Sequence, residues 1–349
     1  MKSDILNPKD PRWSEFLETH AHDFHHLPAF VELEAKGSDG EAGALYIERD
    51  NGALLLPLIF RQVPAHLGLD ARDAISPYGY PCPLIRGEQP ETLSALIEQV
   101  PKALKEAGLI SAFIRLHPLL ANPLRTMAEV GEVIRHGPTV WIDMRESVEE
   151  MWRQTRGSDR NRMNKLRRQG YAARIDATWS KVDAFVALYN ETMSYLDASA
   201  GYFYERAYFE ALRDALDGRL HLCLVEDPEG EVVSAGVFSE IGPIVQFHLS
   251  GTRQDHRRTS PSRLMIDHMR RAMKERGCER FHLGGGVGAA EDSLFEFKRG
   301  FSQERAEFHS WRVIGDEAGY DAAEKAAKAA GACIEDGLFF PSYRRPIAS

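Results

Sequence analysis

The segment LHLCLVEDPEGEVVSAGVFSEI, Leu220–Ile241, consists of two apolar runs separated by a turn of Asp, Pro, Glu and Gly. Apolar, β-branched runs on both sides of such a turn are typical of a β-hairpin. A second stretch, GALYIERDNGALLLPLIFRQV at Gly43–Val63, has the same form around Asp-Asn-Gly. The two predicted hairpins lie about 170 residues apart, which indicates an internal repeat.

The residues after each hairpin repeat as well. After the first hairpin, the pattern predicts a helix over Glu91–Ala107 and a strand over Ile110–Leu116. After the second, it predicts a strand over Ile244–Ser250, a helix over Ser260–Arg276 and a strand over Arg280–Leu283. Each predicted helix is followed by a glycine that favours a left-handed stop, Gly108 and Gly277 respectively.

The second copy of the repeat is the more complete one. Two amphipathic helices, Val182–Leu196 and Glu205–Leu216, precede its hairpin, and a strand at Glu307–Ile314 follows it. The strand that ends at Met144 then gives way to a charged helix. We therefore predict an α+β protein of two tandem domains, residues 1–145 and 146–349, with the boundary near Asp143–Ser147.

Composition excludes several classes of protein. The 349 residues carry 43 Lys and Arg against 52 Asp and Glu, a formal net charge of −9, which argues against a general nucleic-acid coat protein. The longest apolar stretch, Ala53–Phe60, is too short to span a bilayer, and the N-terminus has no signal-peptide pattern. We expect a cytoplasmic protein with reduced thiols, because the cysteines are widely spaced: Cys82, Cys223, Cys278 and Cys333.

The run RQTRGSDRNRMNKLRR, Arg153–Arg168, is strongly basic and contains a single acid, Asp159. If it forms one helix, Arg153, Arg156 and Arg160 share one side. In a chain of negative net charge, such a patch attracts phosphate. A solvated basic helix is the alternative. The run leaves open whether the phosphate belongs to RNA, CoA or a nucleotide sugar.

Polar residues alternate with apolar ones along the strand Val245–Ser250. Alternation with a period of two predicts that Gln246, His248 and Ser250 lie on one face. That face either lines a cleft or contacts water. Of the three, His248 is the candidate for proton exchange, because imidazole titrates near neutral pH.

The segment HLGGGVGAAEDSLFEFKRGF, His282–Phe301, combines a glycine-rich strand end with a short helix. Its GxGxxA pattern resembles a dinucleotide fingerprint, but the βαβ context is missing, so close approach of the backbone to a ligand is the better interpretation. Lys298, placed between two phenylalanines, is either a surface lysine or a positioned cation that stabilises an oxyanion. The candidate substrate-binding residues of this segment are His282, Gly285, Gly286 and Phe297.

Two further segments are weaker candidates. The loop SPYGYPCP, Ser76–Pro83, is either a rigid connector or a cleft wall that presents Tyr78 and Tyr80 to substrate. Four histidines lie at what we predict to be the end of a surface helix, and we expect no metal there. The motifs GxSxG, HExxH and GxxxxGK[ST] do not occur in the sequence. The histidines in question are His20, His22, His25 and His26, with Asp23 among them.

Three of these segments carry a family resemblance. FEFKRGF at Phe295–Phe301 resembles the FKxxF signature of the Fem family, the peptidoglycan interpeptide-bridge aminoacyltransferases built from tandem GNAT-type domains. The run Arg160–Gly170 resembles the basic helix that opens the family's second domain, and FHLSGT at Phe247–Thr252 resembles its central strand. The resemblance implies two tandem GNAT-like domains, with catalysis in the second.

The resemblance also implies a reaction. An amine attacks the ester of an aminoacyl-tRNA and receives the amino acid as an amide. Lys298 would stabilise the transition state, and Arg160 and Arg162 would contact phosphate. The acceptor would be a small-molecule amine or a cell-wall precursor, and the co-substrate, rather than a bound cofactor or metal, would supply the chemistry.

Departures from the family keep other functions open. Bridge-forming Fem enzymes often carry a coiled-coil arm, and no heptad segment occurs here. The phosphate loop of acyl-CoA-using GNAT enzymes reads [QR]xxGx[GA], whereas Arg257–Ser262 has serines at both small positions and a proline, Pro261, between them. Proline removes one backbone N–H from a pyrophosphate cradle. Aminoacyl-tRNA-dependent transfer, acyl-CoA-dependent N-acylation and a catalytically inactive binding protein remain the alternatives.

Overall fold

The structure is a computed structural model that describes residues 1–49, 51–87, 89–332 and 339–346. The chain divides into two compact units, Met1–His136 with Phe308–Ser349, and Gly137–Glu307. The strands are β1 (Lys2–Leu6), β2 (Glu41–Arg49), β3 (Gly52–Gln62), β4 (Arg72–Ile75), β5 (Leu84–Gly87), β6 (Leu109–Leu116), β7 (Glu132–Asp143), β8 (Ala172–Ile175), β9 (Leu220–Glu226), β10 (Val232–Ile241), β11 (Ile244–Thr252), β12 (Arg280–Gly284) and β13 (Arg305–Ile314).

The helices surround these strands in both units. Among the described residues, no helix is long and apolar enough to cross a membrane. The α-helices are α1 (Pro11–Glu18), α2 (Pro28–Lys36), α3 (Pro90–Glu98), α4 (Val100–Glu106), α5 (Leu124–Glu129), α6 (Val148–Gln154), α7 (Gly157–Arg168), α8 (Val182–Tyr195), α9 (Arg206–Ala215), α10 (Ser262–Glu275), α11 (Ser293–Arg299) and α12 (Glu317–Ala329).

The two units share one strand order. In the first, the hairpin β2–β3 is followed by β4, which pairs with β6 in parallel, and β13 pairs antiparallel with β6. In the second, the hairpin β9–β10 is followed by β11, which pairs with β12 in parallel, and β7 pairs antiparallel with β12. The repeat seen in the sequence is therefore a repeat of structure, and the predicted α+β class is confirmed.

The division of the chain differs from the predicted cut between residues 145 and 146. Phe308–Ser349 belongs to the first unit, because β13 forms its ladder with β6, from His309 opposite Leu116 to Ile314 opposite Ser111. Proximity in sequence had assigned this strand to the second domain. In turn, residues 137–143 of β7 belong to the second unit, where they complete its sheet beside β12.

Most predicted elements are present, with two differences. The predicted helix Glu91–Ala107 is two helices, α3 and α4, because Pro101 cannot donate a backbone hydrogen bond at this point. The basic run is also two helices, since α6 ends at Gln154 and α7 begins at Gly157. Gly108 and Gly277 adopt φ of 73° and 91°, as expected for left-handed helix stops.

The core of the second unit lies between its sheet and the helices α7, α10 and α11. Methionines and leucines of α10 pack with Phe238 and Phe281 of the sheet and with Phe295 and Phe301 at the ends of α11. This packing fixes α11 at the edge of the core. Cys82, Cys223 and Cys278 are buried free thiols, and Cys333 lies outside the described residues.

Candidate active site

A gap opens between the two parallel strands of the second unit. β11 and β12 pair only over Ile244–Gln246 and Arg280–His282. β12 ends at Gly284, whereas β11 continues to Thr252 along β10. Beyond Gln246, this edge of β11 has no strand partner among the described residues, so a ligand can lie between the diverging strands.

A β-bulge in β11 changes which polar residues share a face. Phe247 is opposite Phe238, and Leu249, not His248, is opposite Val237. The extra residue, His248, reverses the alternation after it. The prediction that Gln246, His248 and Ser250 lie on one face is therefore wrong.

The packing of neighbouring glycines confirms the reversal. A Cβ on Gly251 would lie 2.3 Å from the backbone of Leu188 in α8, so odd positions after the bulge face α8. A Cβ on Gly236, the partner of Ser250, would approach Met265 of α10 instead. Ser250 thus lies on the α10 side of the sheet, away from the face of Gln246.

Gln246 and His282 form a buried polar pair across the parallel strands. They are opposite each other in the register, and His282 Nδ1 lies 2.7 Å from Gln246 Oε1. Because an amide oxygen can only accept, Nδ1 is the donor in this hydrogen bond. The pair fixes the ring of His282 just before the glycine-rich strand end.

Lys298 points from α11 to the end of β12. Its Nζ donates a hydrogen bond to the carbonyl oxygen of Gly285, at 2.6 Å, and the side chain is 8% exposed. Burial lowers the pKa of Lys298 to about 8, and the carboxylate of Asp292 opposes this shift. An ammonium has three N–H donors. Among the described residues, Gly285 accepts one of them, so the others can meet a ligand oxygen.

The loop after β12 is held in shape by Asp292. This carboxylate caps α11 through the N–H of Phe295, at 2.9 Å, and accepts the N–H of Val287, at 3.1 Å. A Cβ on Gly286 would lie 2.1 Å from the carbonyl oxygen of Ala290 and 2.3 Å from Asp292 Oδ1. Only glycine fits at this position, because the loop folds back on itself there.

The basic run does not present one row of arginines. Because the helix breaks at Thr155 and Arg156, Arg153 lies on α6, and the prediction that it shares a helix side with Arg160 is wrong. Arg160 is half-buried and Arg162 is exposed, both on α7. The guanidinium of Arg167 pairs with buried Asp267, so this residue is structural.

Asp159, the single acid of the run, is a structural anchor, a role that the sequence pattern did not predict. It is 2% exposed, and its Oδ1 accepts a hydrogen bond from Arg263 Nε at 2.8 Å. The guanidinium of Arg263 also lies 4.8 Å from the ring centroid of Phe297. A lone acid within a run of cations is the sequence signal that could have identified this buried ion pair.

The loop before α10 has a serine, Ser260, where the GNAT phosphate-loop pattern has a glycine. Ser260 has φ of 56°, in the left-handed region that glycine favours. Its N–H donates to the carbonyl of His256, at 3.1 Å, and Pro261 next to it has no N–H. The helix N-terminus is therefore a weaker anion cradle than in the usual GNAT loop.

Tyr78 and Tyr80 belong to the first unit. Tyr78 is 44% exposed, consistent with a contact residue, whereas Tyr80 is half-buried. The ring of Tyr80 packs edge-on against His25, His117 and Phe308, at centroid distances of 5.8, 6.1 and 5.2 Å. The loop is thus packed against its own unit through Tyr80, as either a rigid connector or a cleft wall would be.

The predicted surface helix end holds for only part of the histidine stretch. His20 and His22 are half-buried and follow the end of α1, whereas Asp23, His25 and His26 are buried. Asp23, His25 and His117 bring possible ligand atoms within 4.8 Å of one another. However, His117 Nδ1 accepts the N–H of Leu119, at 3.0 Å, so Nε2 carries the proton that it donates to Asp23, at 2.9 Å. A metal-bound histidine needs its lone pair at the ligating nitrogen and usually donates from the other.

The charges of this cluster agree with a hydrogen-bond network. Burial lowers the pKa of His26 to about 3 and also lowers that of His25, so both are neutral. Burial alone raises the pKa of Asp23, but the hydrogen bonds and charges of His117 and His25 together outweigh it and hold the pKa well below its ordinary value. We assign the cluster to the stability of the first unit.

Comparison with protein-family models identifies the second unit. The model described as an acetyltransferase (GNAT) domain matches residues 153–299, less than half of the chain. The matched range contains α7, the gap between β11 and β12, and the helix of Lys298. This unit is therefore a GNAT-type acyltransferase domain, as predicted. Comparison with curated proteins gives no significant match.

Solved structures extend the likeness to the whole chain. The crystal structure of FemX aligns with a TM-score of 0.69 at 15% identity, over 92% of this chain and 99% of that one. A conserved protein of unknown function from Bacteroides thetaiotaomicron aligns with a TM-score of 0.60 at 10% identity, over 89% and 100%. L-PGS from Bacillus licheniformis aligns with a TM-score of 0.56 at 13% identity, over 88% of this chain and 92% of that one. The predicted Fem-like GNAT fold is confirmed.

Proposed function

We propose that the protein moves an aminoacyl group from an aminoacyl-tRNA to the amine of a small-molecule or cell-wall-precursor acceptor, in the cytoplasm. The observation that carries the proposal is the buried ammonium of Lys298, which the Gly285 carbonyl holds at the open end of the gap between β11 and β12. A cation fixed in a dry site stabilises charge that develops in an acyl-transfer transition state.

The reaction balances without a redox partner or a bound metal. The acceptor amine attacks the ester carbonyl of the donor, a C–N bond forms, and the carbonyl oxygen becomes an oxyanion beside Lys298. Collapse of this intermediate breaks the ester C–O bond and releases the tRNA hydroxyl. The attacking amine loses one proton, and we propose that His248 in the bulge or a water molecule accepts it. The leaving hydroxyl gains one proton.

The remaining candidates take binding roles in this proposal. Arg160 and Arg162 on α7 contact phosphate of the donor, because three other arginines of the run, Arg153, Arg156 and Arg167, are already engaged in ion pairs. Tyr78, 44% exposed, remains a proposed substrate contact. The other proposed substrate contacts are Tyr80, Gln246, Ser250, His282, Gly285, Gly286 and Phe297.

Acyl-CoA is the second candidate donor, and one observation favours it. Ser260 stands where the GNAT phosphate-loop pattern has a glycine, and its φ of 56° lies in the left-handed region that glycine favours. A thioester would be attacked in the same way, with a thiol as the leaving group. Against this donor, Pro261 provides no N–H, and the Ser260 N–H donates to the His256 carbonyl.

The two donors can be distinguished by their effect on melting. A ligand that binds only the folded state raises the melting temperature, and the rise grows with the logarithm of ligand concentration above the Kd. We expect a mixture of charged tRNAs to stabilise the protein more than the same tRNAs after deacylation, and acetyl-CoA to have no effect at equal concentration. The reverse result would assign acyl-CoA as the donor. No shift with either would overturn the proposed function.

A further inference from the structure

The first turn of α7 rests on the last turn of α11, the helix of Lys298. The backbone N–H of Arg156 donates to the carbonyl oxygen of Gly300, at 2.7 Å. The carbonyls at the end of a helix lack partners within that helix, so this bond satisfies one of them. The Arg156 side chain also reaches Glu296 Oε2, at 3.2 Å.

Asp159 occupies the space behind this contact. A Cβ on Gly300 would lie only 2.2 Å from Asp159 Oδ2, so the two elements approach as closely as a glycine allows. Asp159 Oδ2 is buried and has no hydrogen-bond partner in the described structure, while Oδ1 is bound by Arg263. Only Oδ1 of this carboxylate is therefore held by a hydrogen bond, and Oδ2 faces Gly300.

Arg263 extends the same anchor to the residue beside Lys298. Its guanidinium stacks at 4.8 Å from the Phe297 ring centroid, and burial lowers its pKa while Asp159 opposes the change. Phe297 and Phe301 in turn pack edge to face, at 5.7 Å. The Asp159–Arg263 pair thus contacts the α11 segment at two residues. They are Phe297, immediately before Lys298, and Gly300, two residues after it.

We infer that Asp159 is a positioning residue for Lys298: through Arg263 and Gly300 it holds α11 where the ammonium reaches the Gly285 carbonyl. This inference rests on the proposed function only in giving Lys298 a catalytic role. α11 has seven residues, too few to hold its place through its own hydrogen bonds. Its position is therefore set by neighbours, and Asp159 is the buried charged neighbour at its C-terminal end.

The reactivity of the Lys298 amine tests this inference without any substrate. The protein is labelled briefly with acetic anhydride across a pH series, and the Lys298 peptide is quantified by mass spectrometry. Only the neutral amine reacts, so the labelling midpoint gives its apparent pKa. We expect about 8 for the wild type. In Asp159→Asn and Gly300→Ala, displaced α11 admits water, and the midpoint rises by about one unit or more toward the ordinary lysine value of ~10.4.

The two variants disturb the contact between Asp159 and Gly300 from opposite sides. If Asp159→Asn does not fold, the result for Gly300→Ala decides the test. The matched control is Asp73→Asn, which alters a buried, arginine-paired carboxylate in the first unit. It should leave the Lys298 midpoint unchanged. An unchanged midpoint in Gly300→Ala, or an equal rise in the control, would overturn the inference. Either result leaves the donor-binding test of the proposed function unaffected.

Discussion

The Nζ atom of Lys298 lies 2.6 Å from the carbonyl oxygen of Gly285. Thirteen residues separate the two along the chain, and the loop between them is closed by the hydrogen bonds of Asp292. The hydrogen bond places a cation at the end of β12, where the two parallel strands have already diverged. This relationship links the short helix α11 to the gap in the sheet, and the following predictions depend on it.

Replacing Lys298 with methionine should remove activity but keep the fold. Lys298→Met retains an unbranched stem and deletes the charge, so we expect turnover to fall by ~10²–10³-fold, as for the loss of one oxyanion donor. The melting temperature should change little, because a buried ammonium gains little from being there. Lys298→Arg should also be impaired, since a planar guanidinium places its charge differently. Near-native turnover in Lys298→Met would assign α11 to packing alone.

The lowered pKa of Lys298 predicts opposite trends in activity and stability with pH. Burial lowers the pKa to about 8. In the unfolded chain a lysine titrates near ~10.4. Turnover should therefore fall above pH 8, as the ammonium loses its proton. Between the two values the unfolded state binds more protons, so Lys298 makes the free energy of unfolding rise with pH.

Denaturant titrations from pH 7 to 10 measure the stability trend. The difference between wild type and Lys298→Met isolates this one group from the other titrating residues. A difference that stays constant across this range would show that the folded and unfolded amines titrate alike.

Removing Arg160 or Arg162 should weaken donor binding in a salt-dependent way. Each charge-assisted contact to phosphate contributes ~1.5–3 kcal/mol, and each released counterion steepens the salt dependence. Affinity of Arg160→Ala and Arg162→Ala for the donor, measured at several salt concentrations, should fall most at low salt. Arg213→Ala removes an exposed, ion-paired arginine of α9 and is the control. Unchanged affinity in both α7 variants would make this surface a solvated helix face.

A methyl group at Gly286 should disrupt the site more than the fold. In Gly286→Ala the new Cβ would lie 2.1 Å from the carbonyl oxygen of Ala290, so the loop that carries Gly285 must move. We expect turnover to fall at least tenfold while the protein still unfolds cooperatively. Gly201→Ala, at a glycine with nothing within 4 Å of the added Cβ, should leave both unchanged. Equal activity in the two variants would contradict a catalytic role for this loop.

Local patterns in the sequence predicted much of the fold. Turn chemistry identified both hairpins, and glycine placement identified the helix stops at Gly108 and Gly277. The FKRGF segment pointed to Lys298, whose burial and contact with Gly285 agree with a positioned cation. These features depend on a few adjacent residues, which is why a single sequence reveals them.

Features that depend on distant residues were missed or wrong. The bulge at His248 is set by pairing with β10, and a strand pattern alone cannot show it. The break at Thr155 reflects packing, since buried Arg270 bonds its side chain. The pairing of Asp159 with Arg263 joins residues 104 positions apart. Hydrophobic periodicity and charge pattern describe one helix or strand at a time, so they could not predict contacts between distant elements.

The strand order has a consequence for how the chain is made. The first unit is complete only when β13 lies beside β6, yet about 190 residues separate these strands along the chain. During synthesis, this edge of β6 lacks its partner β13 until the second unit has been synthesised. Ribosome-bound chains that stop before β13 should therefore expose the edge of β6 to chaperones.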